Sequence, residues 1–333
     1  MGDPVDPTSH RPARAGAAWG TTGGAGNGQV VFTWTPEGRR RDRDSAARAA
    51  ISGREQATGP DRLRFGTYLA PSVLPVYEAV TAEVGRRLGI QTELVVETSY
   101  ASCEKDENEV CFVCSLPYVT WERRGLDLAV PVAAPVLQGA RYEGRPIYFS
   151  DVIVHRDSPL RSFLDLRGRS WAYNEPLSHS GYGITRYHLA QLGETNGFFG
   201  RVVEAGFHQE AIRMVARGEI DAAAIDSQVL AIELRDHPDL PGQVRVVEAL
   251  GPSTIQPVAV SRRVPMELRN AIRDVLLTMA DDPGVRRRLD AGLVDRFVPV
   301  GPGSYDDIRM MVDACEAAGF AELRSTAARH LSR

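Results

Sequence analysis

The chain has 333 residues, 43% hydrophobic and 25% charged, which suits a soluble globular protein of about two domains with a sizeable core. Its formal net charge of −4 excludes the global basic field that makes nucleic acid or anionic lipid a default partner, so no nucleic acid is expected and any anion site must be local. Lys105 is the single lysine, which excludes a Gly-x-x-x-x-Gly-Lys phosphate loop and leaves Schiff-base chemistry one candidate in an acidic run.

Residues 1–61 are rich in Gly, Ala, Arg, Ser and Thr, lack apolar periodicity, and are expected to form a disordered extension. Within it, Gln29–Trp34 has the composition of one short strand or docking segment, and Arg39-Arg40-Arg41 that of a solvated tail, with contact to an anionic surface as the alternative. The first thirty residues lack the charged, apolar and cleavage regions of a secretory signal and hold no cysteine for lipidation. As written, the chain is expected in the cytoplasm, and outside it if the start or the export route is misjudged. No run reaches the ~18 to 20 apolar residues of a transmembrane segment.

From Leu63 onward strand and helix signals alternate, which predicts an α/β protein with a largely parallel sheet. Strands are expected at Leu63–Tyr68, Gln91–Glu97, Val110–Cys114, Asp127–Leu137 and Ile147–Val154. A helix over Leu74–Leu88 ends at Gly89 as a C-cap. Thr98–Val110 reads as loop and polar helix, and Ser115-Leu116-Pro117-Tyr118 as a loop. A short helix and turn at Phe163–Arg169 precede a helix from about Gly181 to Leu192. Strands follow at Arg201–Phe207, Ile220–Ile225 and Gln256–Ser261, and helices at Gln209–Arg217, Pro265–Ala280, Gly284–Ala291 and Tyr305–Ala318.

Four cysteines in a chain of this length do not form a dense disulfide framework. Cys111 and Cys114 have CxxC spacing, but alternation along a strand puts them on opposite faces and makes them poor co-ligands. Buried thiols packed as small hydrophobes are expected. A metal or redox site drawing on Cys103, Cys111 and Cys114 is the alternative.

Ser170 to Tyr187 reads as a strand, an oxyanion-cradling turn and a helix start. Ser178, His179, Ser180 and Gly181 sit where free backbone N–H groups and the positive end of a helix dipole point outward, the arrangement that binds anions. The hydroxyls donate to oxygen, and Gly181 admits a ligand to the backbone without a Cβ in the way. Ser-x-Ser-Gly is also an ordinary helix cap.

Further motifs follow in a fixed order. Tyr148–Val154 with Asp157-Ser158, Phe163–Gly168, Ser178–Tyr182, Gly206-Phe207-His208 and Gly218–Asp226 together resemble the phosphate/phosphite/phosphonate-type substrate-binding proteins of ABC transporters, over about residues 63–318. The resemblance implies a two-lobed type 2 periplasmic-binding-protein fold with two crossover strands, near Tyr148–Val154 and Gln256–Val260. Lobe 1 is expected at 62–149 and 255–325, lobe 2 at 150–254. It implies a ligand pocket built from Tyr100, Tyr118, Tyr148, Ser178, His179, Ser180, Gly181, His208 and Asp226, with His179 standing where the family more often has Thr.

In that pocket Ser178, Ser180 and nearby N–H groups are expected to hold the oxygens of a small tetrahedral anion, phosphate-, phosphite- or phosphonate-like. His179 and His208 donate or carry charge near neutral pH, and Asp226 recognises a ligand proton or amine. No cofactor and no metal are implied; a small anionic ligand is, and a transporter permease as partner. Cytoplasmic enzymes share this fold, so an alternative has His179 or His208 as general acid or base on a small anionic metabolite, with Asp226 orienting it.

Overall fold

The computed structural model describes Gly20–Thr21, Val30–Thr35 and Asp61–Ser325. It is an α/β molecule built on two mixed sheets. The larger has eight strands: β1 (Gly20–Thr21), β2 (Val30–Trp34), β3 (Arg62–Thr67), β4 (Gln91–Val96), β5 (Val110–Phe112), β6 (Ala129–Leu137), β12 (Val258–Ser261) and β13 (Val294–Pro299). Their order is β1-β2-β4-β3-β5-β12-β6-β13. The smaller holds β7 (Ile147–His155), β8 (Ser170–Tyr173), β9 (Arg201–Glu204), β10 (Ala222–Asp226) and β11 (Val244–Thr254), in the order β11-β7-β10-β8-β9.

Parallel pairing is confined to β4-β3-β5 and β10-β8-β9, and every other pair is antiparallel, so the expectation of a largely parallel sheet is corrected to a mixed one. The cause is the chain's double crossing: β7 leaves the first sheet to run antiparallel to β10 and β11, and β12 returns antiparallel between β5 and β6. The second crossing is the short span from Thr254 to Pro257; Val258 already pairs with Phe112 and Ala133. Arg141 secures the first crossing with a two-pronged grip on the buried Asp151 carboxylate at 3.0 and 2.8 Å.

The α1 helix (Leu74–Leu88) takes Pro75 in its first turn and ends on Gly89 with φ +65°, buries Val76, Val80 and Val84 against β3 and β4, and keeps Arg86 and Arg87 beside Glu83 in its last turn. Two further differences from the sequence reading have local causes. Ser115–Tyr118 opens α3 (Ser115–Arg123) rather than a loop, because Pro117 lies in the first turn, where a missing N–H costs nothing. β11 and β13 carry too many charged and small residues to show a strand pattern. Within the extension expected at 1–61, Val30–Trp34 takes the short-strand reading given for Gln29–Trp34: β-branched and aromatic residues pair it with β4 along its whole length, and Trp34 is buried. Gly20–Thr21 add a short antiparallel pairing to it, and residues 1–19, 22–29 and 36–60 lie outside those described.

One core joins α1, α7 (Met266–Thr278) and α8 (Pro283–Ala291) to the larger sheet. The smaller sheet carries a core on each face, around Phe163, Trp171, Phe198 and Phe199 on one side and Ile212, Val215 and Ile225 of α5 (His208–Ala216) and β10 on the other. After α9 (Asp306–Ala317) the chain, expected to stay with lobe 1, puts Phe320 and Leu323 into the aromatic core of the smaller sheet.

Candidate functional site

A cleft of about 390 Å³ lies between the ends of strands from both sheets. The segment after β4 supplies Glu97, Thr98, Ser99 and Tyr100; the segments after β8 and β9 supply Glu175, Phe207 and His208, and the last residue of β10 is Asp226. Strand carboxyl ends are where open α/β sheets hold ligands, since strands fix loop positions there while leaving backbone and side-chain groups unpaired.

The floor is the turn that follows β8. His179–Gly183 forms one π-helical turn, and α4 (Ile184–Gln191) continues from it. Three of the four amides expected to be free are used internally: Ser178 N–H donates to the Glu175 carbonyl, His179 N–H to Cys114 Sγ, and Gly181 N–H to Ser178 Oγ at 3.1 Å. The helix-cap reading is therefore met, and of the four amides Ser180 N–H is the one left as a candidate donor to a ligand. Gly181 faces Asn174, whose Oδ1 would stand 2.0 Å from an added Cβ, so its glycine serves close packing of the turn rather than approach of a ligand.

Ser178 and Ser180 line the cleft with hydroxyl oxygens 3.4 Å apart, and Ser180 Oγ lies 3.0 Å from His208 Nε2. Burial alone holds the His208 imidazole down at about 4, so at neutral pH it is uncharged and carries a single N–H. With that proton on Nε2 it donates to Ser180 Oγ and releases the serine hydroxyl to donate onward; with it on Nδ1 it offers a donor of its own. The expectation of an imidazolium near neutral pH is thus corrected for His208, and for His179, held at about 4 by the same cause.

His179 is not on the cleft wall. Its ring turns into the protein, 2.9 Å from Ser253 Oγ on β11 and tilted against Tyr148, and so ties the turn to a crossing strand. Tyr148 is wholly buried beneath the turn, its hydroxyl next to Ser115 and Ser180 without a well-formed hydrogen bond to either. Tyr118 lies elsewhere: it donates to Glu122 at 2.7 Å and meets Tyr305 edge-on, in the contact of α3 with α9. The structure therefore brings Tyr100, Ser178, Ser180, His208 and Asp226 together at the cleft and leaves Tyr118, Tyr148, His179 and Gly181 off its wall.

Asp226 has two jobs. Its Oδ1 accepts from the N–H groups of Gln228 and Val229 and caps α6 (Ser227–Asp236), while Oδ2 accepts from Gln256 Nε2 at 2.9 Å. Burial raises the carboxyl to about 6, with those hydrogen bonds opposing the rise. Tyr100 stacks on Tyr68, ring centroids 4.7 Å apart, and Tyr77 and Phe207 add further aromatic wall. No lysine or arginine is among the lining residues, whereas Glu97, Glu175, Glu204 and Asp226 are. Glu175, raised by burial and by Glu204, was missed from sequence, as were Tyr68, Asn174, Phe207 and Gln256. Their shared signal is position just beyond a strand end.

Two α/β bodies joined by two crossings, with a ligand-sized cleft at their facing strand ends, define the type 2 periplasmic-binding-protein fold. Residues 67–305 match the family model described as ABC transporter, phosphonate, periplasmic substrate-binding protein, and the chain belongs to that family. A binding protein component of an ABC phosphonate transporter from Pseudomonas aeruginosa superposes with a TM-score of 0.68 at 18% identity, covering 78% of this chain and 88% of that one. PhnD1 from Prochlorococcus marinus, in complex with methylphosphonate, gives 0.68 at 17%, covering 77% and 99%. The periplasmic aliphatic sulphonate binding protein SsuA from Escherichia coli gives 0.53 at 16%, covering 78% and 87%. Among the described residues no helix is long and apolar enough to cross a membrane.

Proposed function

We propose that this substrate-binding protein closes its cleft on a small tetrahedral oxyanion of the phosphonate, phosphite or phosphate type. The observation that carries the reading is the relay of Ser178 and Ser180 hydroxyls and the His208 ring at the cleft floor, with Ser180 N–H beside it. Neutral donors hold the anion's oxygens there by hydrogen bonds alone, without a lysine or arginine. The carboxyl of Asp226 accepts a proton of the ligand or a ligand amine, which favours a singly charged or zwitterionic species over a dianion. Tyr100, Tyr68 and Phe207 give an organic substituent an apolar wall.

Closure is the state a transporter permease reads, and Gln209 Nε2, which donates to Ser72 Oγ at 3.1 Å, already links the two sides of the cleft mouth. The working place that goes with such a partner is outside the cytoplasmic membrane.

Thermal-shift and calorimetric titration with methylphosphonate, phosphite, phosphate and 2-aminoethylphosphonate tests the reading. At least one should raise the melting temperature at millimolar concentration. The Ser178→Ala, Ser180→Ala double variant should lose about 10- to 100-fold in affinity per hydroxyl, as for hydrogen bonds to a charged group, while remaining folded. Silence of the wild-type protein toward all four ligands sinks the proposal.

A further inference from the structure

Away from the cleft floor, two sulfurs face each other. Cys103 on α2 (Ala101–Glu104) and Cys111 in the middle of β5 lie with Sγ atoms 3.4 Å apart, each residue 3% exposed. They sit in an apolar cluster with Tyr100, Val113, Tyr118, Trp121 and Ala259. Among the described residues no group of three or more His, Cys, Asp or Glu side chains could hold a metal, and Cys114 is engaged with the His179 amide. A covalent bond needs the sulfurs to close from 3.4 Å to about 2.05 Å, and a void of about 10 Å³ borders both residues.

We propose that Cys103 and Cys111 are a disulfide-forming pair, oxidised by a small-molecule or protein disulfide. One thiolate attacks a sulfur of the external disulfide, forming a mixed disulfide and expelling one thiolate; the second cysteine attacks that mixed disulfide at the protein sulfur and expels the other. The protein loses two electrons and two protons, and the oxidant leaves as two thiols. The periplasm named in the family description is a compartment where such bonds persist. In the folded reduced protein, the contact with Cys103 and burial keep the Cys111 thiol protonated, so the bond forms as the chain folds rather than afterwards.

The link fastens α2 to β5. Next to Cys103, Ser102 meets the Tyr68 hydroxyl at 2.6 Å, and Tyr100 stacks on the Tyr68 ring, so the bond would hold the aromatic wall of the cleft in register.

The test is thiol counting on the full chain. Protein refolded in a buffer containing oxidised glutathione is denatured without reductant and alkylated with iodoacetamide. Intact mass should show two added groups, on Cys114 and Cys315, and digestion should yield a cross-linked Cys103–Cys111 peptide that disappears on reduction. Cys103→Ser should show three added groups. Four alkylated cysteines in the wild-type chain, or a cross-link that involves Cys114 or Cys315, overturns the proposal.

Discussion

The pair Ser180 and His208 shows how burial decides what a residue can contribute. A solvated histidine titrates near pH 6.5, but His208 and His179 are held at about 4 by desolvation, so neither supplies a positive charge to the cleft. Between 6.5 and about 4 the unfolded chain binds protons that the folded chain refuses, so the stability they contribute is complete above 6.5 and falls as pH drops through that window. Asp226, raised to about 6 from 3.8, acts in the opposite sense over 3.8 to 6, because the folded chain holds its proton more tightly, and offsets one histidine. The melting temperature should therefore fall from pH 7 to pH 4.5, and His179→Asn should make the decline shallower. An unchanged slope in that variant would mean the ring is not neutral and buried. For ligand binding, His208→Ala should weaken affinity by a factor that does not grow between pH 7.5 and pH 6, measured by calorimetry.

At the scale of elements, the turn between β8 and α4 was legible in the sequence because its chemistry is local: Ser178, Ser180 and Gly181 lie within four residues, and Gly206-Phe207-His208 marks the end of a strand. The parallel strands β3, β4, β8 and β10 were legible for the same reason, as short runs carrying apolar residues between turn residues. What was not legible depends on the partner. Tyr118 and Tyr148 carry the same side chain as Tyr100, and only the packing of α3 on α9 and of β7 beneath the turn takes them off the cleft wall. Glu175 and Gln256 reach the cleft from opposite sides, a juxtaposition that no spacing encodes. Cys103 and Cys111 meet because α2 folds back onto β5, whereas strand alternation addressed only Cys111 and Cys114. The turn's own geometry gives a further prediction. An alanine at Gly181 must push away the side chain of Asn174, the first residue after β8, so Gly181→Ala should lower both thermal stability and ligand affinity, the latter by roughly 10-fold or more at about 1.4 kcal/mol per decade. Unaltered affinity in a destabilised Gly181→Ala protein would separate the turn's packing from its role at the cleft.

Over the whole molecule, the C-terminal segment connects parts that the two sheets leave separate. Arg309 on α9 pairs with Glu122 on α3, and the Thr254 N–H in the second crossing donates to Asp307 at 2.7 Å, so α9 is fixed to the first body and to a crossing. The chain then continues to the other body, where Arg186 on α4 donates to the Phe320 carbonyl and the Leu323 N–H donates to the Tyr182 hydroxyl at 2.9 Å. Phe320 is fully buried, and Leu323 nearly so, in the core of Phe163, Trp171 and Phe199. Tyr182 belongs to the same π-helical turn that presents Ser180, so the segment braces the cleft floor from behind. Phe320→Ala should cost about 3–5 kcal/mol, the range for an aromatic lost from a packed core, read as a lower denaturant midpoint. Leu323→Ala should cost about 2–5 kcal/mol and, through Tyr182, also weaken ligand binding. Arg309→Ala removes partly exposed ion pairs with Glu122 and Asp306 and should change stability by about 1 kcal/mol or less. If Phe320→Ala proved no more damaging than Arg309→Ala, the segment would be a surface attachment, and the smaller sheet would hold its aromatic core without it.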